Sequence, residues 1–328
     1  MSWLRSSAFR AGALVEVRSA EEIAATLDAE GTLDRLPFMP EMLPYCGRRF
    51  RVSKRAHKTC DTVRKTGGRR MDRTVHLEGL RCDGGAHGGC QAACLLFWKD
   101  AWLRPVREGK AERSEPAAAP AELAARLAGA TRRSAEGETL YRCQATDLFE
   151  ATRPIRRFDP THYLEDLASG NVRLGEFVRV VMIALFNFLQ GLRGGGGFPR
   201  FPGGTLEGRT PSRRLDLQPG EEVEVRSAGE IAATLDTEGR NRGMWFDHEM
   251  VPSCGERHRV AWRVERFIEE STGRLVELRN DSVVLEGVVC RAHFSKGRLF
   301  CPRSITPWWR EIWLRRVGEG AGRGNPSE

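Results

Sequence analysis

The chain contains no Walker A loop, no HExxH pair and no GxGxxG dinucleotide fingerprint, so its motifs do not point to nucleotide-dependent or zinc-peptidase chemistry. Its first residues, MSWLRSSAFRAG, lack the apolar stretch and small-residue cleavage site of a secretory signal, which sets the expectation of a cytoplasmic protein. A long uninterrupted apolar run is also missing. The most apolar stretch, LGEFVRVVMIALFNFLQGLR at 174–193, is broken by Glu176, Arg179, Asn187 and Gln190, which makes a membrane span costly. Nor is positive charge concentrated, although the formal charge is +8. Residues 12–106 carry 16 Lys and Arg against 12 Asp and Glu, residues 107–219 carry 17 against 14, and residues 220–317 carry 16 of each. So thin a spread predicts weak, salt-sensitive nucleic-acid binding or none.

What the chain does have is an internal duplication. Residues 15–31 (VEVRSAEEIAATLDAEG) return as residues 223–239 (VEVRSAGEIAATLDTEG), differing at Glu21/Gly229 and Ala29/Thr237. The match runs on through Phe38/Phe246, Glu41-Met42/Glu249-Met250, Pro44/Pro252 and Cys46-Gly47/Cys254-Gly255. It resumes at Leu77-Glu78-Gly79/Leu285-Glu286-Gly287, Cys82/Cys290, Cys90/Cys301, Trp98/Trp309 and Trp102/Trp313. Two copies of one module, 12–106 and 220–317, therefore flank a different middle: a linker at 107–138, a helical segment at 139–193 and a Gly/Pro/Arg-rich linker at 194–219, with a tail at 318–328. Whatever both copies keep is what the module needs.

Within each copy, alternating apolar and polar residues at 14–18 and 223–226 predict a half-buried strand. Ser19 with Glu22, and Ser227 with Glu230, form capping boxes that start a short helix, which Gly31 or Gly239 is expected to end. A hairpin is expected across 259–280, turning at Ser271-Thr272-Gly273, with its counterpart at Gly67-Gly68. Further strands fall at 75–80 and 283–289, and at the closing AWLRPV and IWLRRV. Several short strands in under a hundred residues favour a small closed β-barrel, because closure removes exposed edges. The segment PGEEVEVRS (219–227) resembles the opening of an SH3-like barrel of the KOW type. That resemblance implies a mainly β protein with some helix: two SH3-like barrels flanking a helical middle.

In the middle, Asp159-Pro160 predicts the start of a helix through Leu167, stopped by Ser169-Gly170-Asn171. The 174–192 segment predicts a second helix with a broad apolar face. It is expected to dock on a repeat, a protein partner, a second copy of the chain or a membrane surface.

Nine cysteines in a reducing compartment call for an explanation other than disulfides. Cys46, Cys82 and Cys90 recur as Cys254, Cys290 and Cys301. Three thiolates leave one tetrahedral position, for which Cys94 or His87 is available in the first copy and His293, or less readily His258, in the second. Zinc suits such donors and would staple a small barrel, one ion per repeat. An iron–sulfur cluster is the alternative, though the second copy would need a substitute ligand. Unliganded cysteines packed as small hydrophobes remain the plain reading. Catalysis by Cys46 or Cys254, with His57, His87, His248 or His258 as base, lacks any recognised motif. If a metal- or thiol-dependent enzyme is present, the richer donor set (Cys60, His76, His87, Cys94) puts it in the first copy. The paired tryptophans Trp98/Trp102 and Trp309/Trp313 either plug the barrels or, if exposed, stack bases. Together these readings describe a metal-stapled binding or scaffold protein.

Overall fold

The computed structural model describes residues 7–64, 66–106, 120–135, 137–156 and 159–318. The start of the 107–138 linker and nearly all of the 318–328 tail lie outside the described residues. The fold is mixed α/β, with antiparallel sheets throughout the two repeats.

Each repeat builds one five-stranded antiparallel sheet, and the two sheets have the same strand order. In the first, the order is Leu95–Lys99, Thr74–Arg81, Arg49–Arg55, Leu14–Val17, Leu103–Pro105. In the second it is Trp309–Arg310, Ser282–Leu285, Arg257–Arg263, Glu222–Val225, Leu314–Arg316. Register repeats as well: Val15 faces Phe50 and Pro105, while Val223 faces His258 and Arg316. Even the irregularity is shared, since the ladder slips between Val52 and Lys54 in one copy and between Val260 and Trp262 in the other.

The core explains why the tryptophans are kept. Trp98, Trp102, Trp309 and Trp313 are all fully buried, so none is available to stack on a base. Phe38 meets Trp102 edge-on at 5.1 Å and 83°, and Phe246 meets Trp313 at 5.3 Å and 79°. The indole N–H of Trp102 donates to Thr26 Oγ1 (3.1 Å), and that of Trp313 to Thr234 Oγ1 (3.0 Å). Trp102 and Trp313 thus bury their apolar bodies and satisfy their polar atoms.

Both capping boxes form as the sequence predicts. The helices they start are shorter than expected, Ala20–Ala24 and Ala228–Ala232. Thr26 donates its hydroxyl to the Ile23 carbonyl, and Asp28 accepts from the Glu30 and Thr32 N–H groups, so local side chains draw the backbone out of the helix. Gly31 keeps its left-handed φ of +73°, but inside that aspartate turn rather than at a helix end.

In the middle, helices run over Ala121–Ala130, Thr161–Ala168 and Leu174–Leu192. The chain forms two compact units whose bounds differ from those of the repeats. The first comprises Met1–Val180 together with Arg266–Val276 and Lys296–Ile305; the second holds Val181–Glu265, Glu277–Ser295 and Thr306–Glu328. Repeat two therefore contributes two segments to the first unit. Its expected turn at 271–273 does form, between Arg266–Ile268 and Leu275–Glu277. The preceding strand, Arg257–Arg263, pairs with Ser282–Leu285 instead of entering that hairpin.

One carboxylate beside each sheet, half-buried Asp100 in the first repeat and buried Glu311 in the second, ties the last strand down. In the first repeat Arg55 grips Asp100 with both guanidinium nitrogens, at 2.6 and 2.7 Å. In the second, Arg263 Nη1 donates to Glu311 Oε1 (3.1 Å), and the fully buried Glu311 also accepts the N–H groups of Leu215, Asp216 and Leu217. Breaking such a site is expensive because the remaining charge stays buried. We expect Glu311→Gln to destabilise the second unit by about 3 kcal/mol. Glu222→Gln, whose pair with Arg259 is solvent-exposed, should cost about 0.5 kcal/mol or less. Urea unfolding followed by tryptophan fluorescence checks both, and equal midpoints would refute the assignment.

Candidate metal centre

The glycine-rich loop of the first repeat folds back on itself. Gly84 packs so closely on Cys90 that a Cβ there would stand 2.1 Å from the Cys90 carbonyl oxygen, and its φ is +76°. Only glycine fits on both counts. The Cys82 N–H donates to the Cys94 carbonyl (2.8 Å), and the His87 N–H to the Gly84 carbonyl (3.1 Å). These bonds hold Cys82 and His87 beside Glu41, which lies on the 3-10 helix Pro40–Tyr45.

The three side chains meet. Cys82 Sγ lies 3.3 Å from Glu41 Oε1 and 3.2 Å from His87 Nε2, and His87 Nδ1 lies 3.7 Å from Glu41 Oε1. Burial drives each toward its neutral form. It raises the Glu41 carboxyl above the usual range, pushes the Cys82 thiol far up with Glu41 adding to the effect, and lowers His87 to about 4. Glu41 Oε2 and His87 Nδ1 are buried with no hydrogen-bond partner, an unusual state for polar atoms away from water. Among the described residues this is the one group of three such donors close enough to share an ion. Beside it lies a cavity of about 40 Å3 bordered by Cys90, Cys94 and Cys143, with room for about three water molecules.

The second copy treats the same glutamate differently. Glu249, the counterpart of Glu41, accepts the backbone N–H groups of His293 (3.1 Å), Phe294 (2.7 Å) and Ser295 (3.0 Å), and the Ser295 hydroxyl (3.0 Å). Its loop wraps the carboxylate in donors. In the first copy the equivalent carboxylate faces a thiol and an imidazole.

The remaining predicted ligands are dispersed. Cys46 packs in the hydrophobic core, its thiol pushed up to about 11 by burial, because its side chain leaves the 3-10 helix on the core side. Cys90 Sγ accepts the Ile268 N–H at 3.4 Å. Cys94 and Cys143 line the cavity wall, their thiols raised by burial to about 11 and 12. Cys301 Sγ accepts the Cys60 N–H at 3.2 Å within the first unit, whereas Cys254, Cys290 and His293 belong to the second. Among the described residues Cys254, Cys290, Cys301 and His293 form no group of donors close enough to share an ion, and the loop carrying Cys301 is one of the segments that repeat two lends to the first unit. No histidine hydrogen-bonds Cys46 or Cys254 among the described residues, so neither has the positioned base that a thiol nucleophile needs.

A second buried cluster, Lys58, Asp166, His57 and His162, is structural in form. Lys58 Nζ donates to Asp166 Oδ2 at 2.5 Å, and His57 Nε2 donates to the His162 carbonyl at 2.9 Å. Together they fasten the Thr161–Ala168 helix to the strand Lys58–Cys60. Burial raises Asp166 to about 6 and lowers His57 to about 3.

No protein-family model matches the chain, and the search of curated proteins finds no relative. One residue of the centre, Glu41, and one of the cavity wall, Cys143, are not singled out by the sequence. Glu41 was visible only as half of a duplicated Glu-Met pair, and Cys143 lies in the middle segment with no counterpart to mark it.

Four buried histidines give the first unit a definite acid response. Desolvation holds His57 at about 3 and His76, His87 and His162 at about 4. Above about pH 6.5 they are neutral in both folded and unfolded states and cost nothing. As pH falls from there toward 4, the unfolded chain takes up protons that the folded chain refuses, so stability falls. Asp166, raised, works against this between about 4 and 6. We expect the denaturation midpoint to drop from pH 7 to pH 5, and His76→Phe to reduce that drop. An unchanged pH slope in the variant would contradict the burial of His76.

Proposed function

We propose that the first repeat is a metal-binding module that holds one zinc ion through Glu41, Cys82 and His87, and that the protein acts as a non-catalytic binding or scaffold protein stapled by that metal. One observation carries the reading. Of two duplicated glutamates, the second is wrapped in backbone donors while the first is buried beside a cysteine and a histidine with one oxygen unpartnered. A divalent cation would supply the missing positive charge, let Cys82 ionise and use the lone pairs now left idle. The spacing is compatible, since neighbouring ligand atoms around tetrahedral zinc stand about 3.5 Å apart. Carboxylate, thiolate and imidazole together favour zinc over the all-sulfur setting of an iron–sulfur cluster. We read each five-stranded sheet as an SH3-like scaffold, supported by its short, strongly irregular strands and shared order.

A catalytic reading has one observation in its favour. A groove of about 600 Å3, bounded by Glu41, Asp83 and Arg132 among others, opens beside the three donors. Three protein ligands would leave the fourth position to a water.

Elemental analysis of protein purified without added metal should find about one zinc per chain. Cys82→Ser and His87→Ala should each abolish it and lower the melting temperature, while Cys254→Ser should leave the metal content unchanged. A metal-free folded chain, or two metals per chain, would overturn the proposal. Hydrolysis of a general ester substrate lost with Cys82→Ser would favour the enzyme instead.

A further inference from the structure

The Leu174–Leu192 helix is inside out for a helix in water. Placed at about 100° per residue, Glu176, Asn187 and Gln190 fall on the same side as Val180, the only residue of the helix that is buried. That side is engaged: Phe177 stacks on Phe300 at 5.2 Å, and Asn187 exchanges two hydrogen bonds with the Phe198 backbone. The opposite side, roughly 160° wide, consists of large apolar residues. Met182 is 58% exposed, Leu185 48%, Phe188 58% and Leu192 70%. A soluble helix buries its apolar stripe; this one leaves its apolar stripe in solvent and packs with the side that carries its half-buried polar residues.

Arginines on the helix, at its ends and in the chain that follows it are unpaired too: Arg173, Arg179, Arg193, Arg200, Arg209 and Arg213 are exposed and form no ion pair among the described residues. From 193 to 214 the chain carries five arginines and a single acid, Glu207. We infer that the exposed face of this helix docks on an anionic lipid surface, lying in the interface with its apolar residues in the acyl region and the flanking arginines among the headgroups. At 19 residues the helix is about 28 Å long, but Glu176, Arg179, Asn187 and Gln190 make lying flat less costly than spanning. A second copy of the chain is a poor occupant, because it would bring an identical set of unpaired arginines against the first. An anionic surface complements them instead.

Co-sedimentation of the full chain with phosphatidylcholine–phosphatidylserine vesicles and with pure phosphatidylcholine vesicles tests this. Binding should favour the anionic vesicles and weaken with salt. It should fall roughly tenfold or more in Leu185→Glu and in the Arg179→Gln, Arg193→Gln double variant. Because these side chains are exposed, circular dichroism and melting temperature should match the parent in both variants. Three results would overturn the inference: equal binding to both vesicles; no binding, with self-association that Leu185→Glu abolishes; or no binding by a chain that stays monomeric. Retention in membranes after alkaline extraction would likewise overturn it in favour of a span.

Discussion

A carboxylate taken out of water must find donors, and much of this fold is arranged around how its buried acids find them. Half-buried Asp100 and fully buried Glu311 do so with arginines reaching across each sheet, and Glu311 adds three backbone N–H groups. Asp166 does so with Lys58. Glu249 does so with a loop that closes around it. Glu41 is the exception: the duplicated scaffold delivers it to the same place, but its loop brings a thiol and an imidazole instead of backbone donors. The difference between the copies thus lies in the loop rather than in the shared framework.

Much of that framework was legible in the residues. The duplication, both capping boxes and the strands at Leu14–Val17 and Thr74–Arg81 follow from local pattern, which depends only on neighbours in sequence. The helix lengths were overestimated because Thr26 and Asp28 compete for the backbone through side-chain bonds that periodicity does not register. Cys82 and His87 were recognisable as donors, while Glu41 was not, since one acidic residue among many becomes a candidate only when the chain folds it against the others. The pairing of Cys301 with Cys60 was beyond reach for a related reason. Sequence similarity aligned Cys301 with Cys90, and nothing local says that its loop packs in the other unit.

The segments 266–276 and 296–305 are fastened to the first unit by directional bonds. Gln91 donates its N–H to the Arg266 carbonyl (3.0 Å) and accepts the Arg266 N–H on its side-chain oxygen (3.1 Å), and the Tyr141 N–H donates to the Gly273 carbonyl (2.7 Å). Arg303, fully buried, is paired with Glu270, so the two borrowed segments also hold each other. Such a charge pair tolerates neither partner alone.

That one-way loan of segments bears on how the duplication can change over time. Tandem copies that fold independently can be gained, lost or shuffled one at a time, since each break falls between self-sufficient units. Here a break between the copies would leave the first unit without the two segments, and the buried Arg303, that repeat two lends it. The first unit is therefore not a self-sufficient piece that could be separated from the second copy without losing part of its own packing.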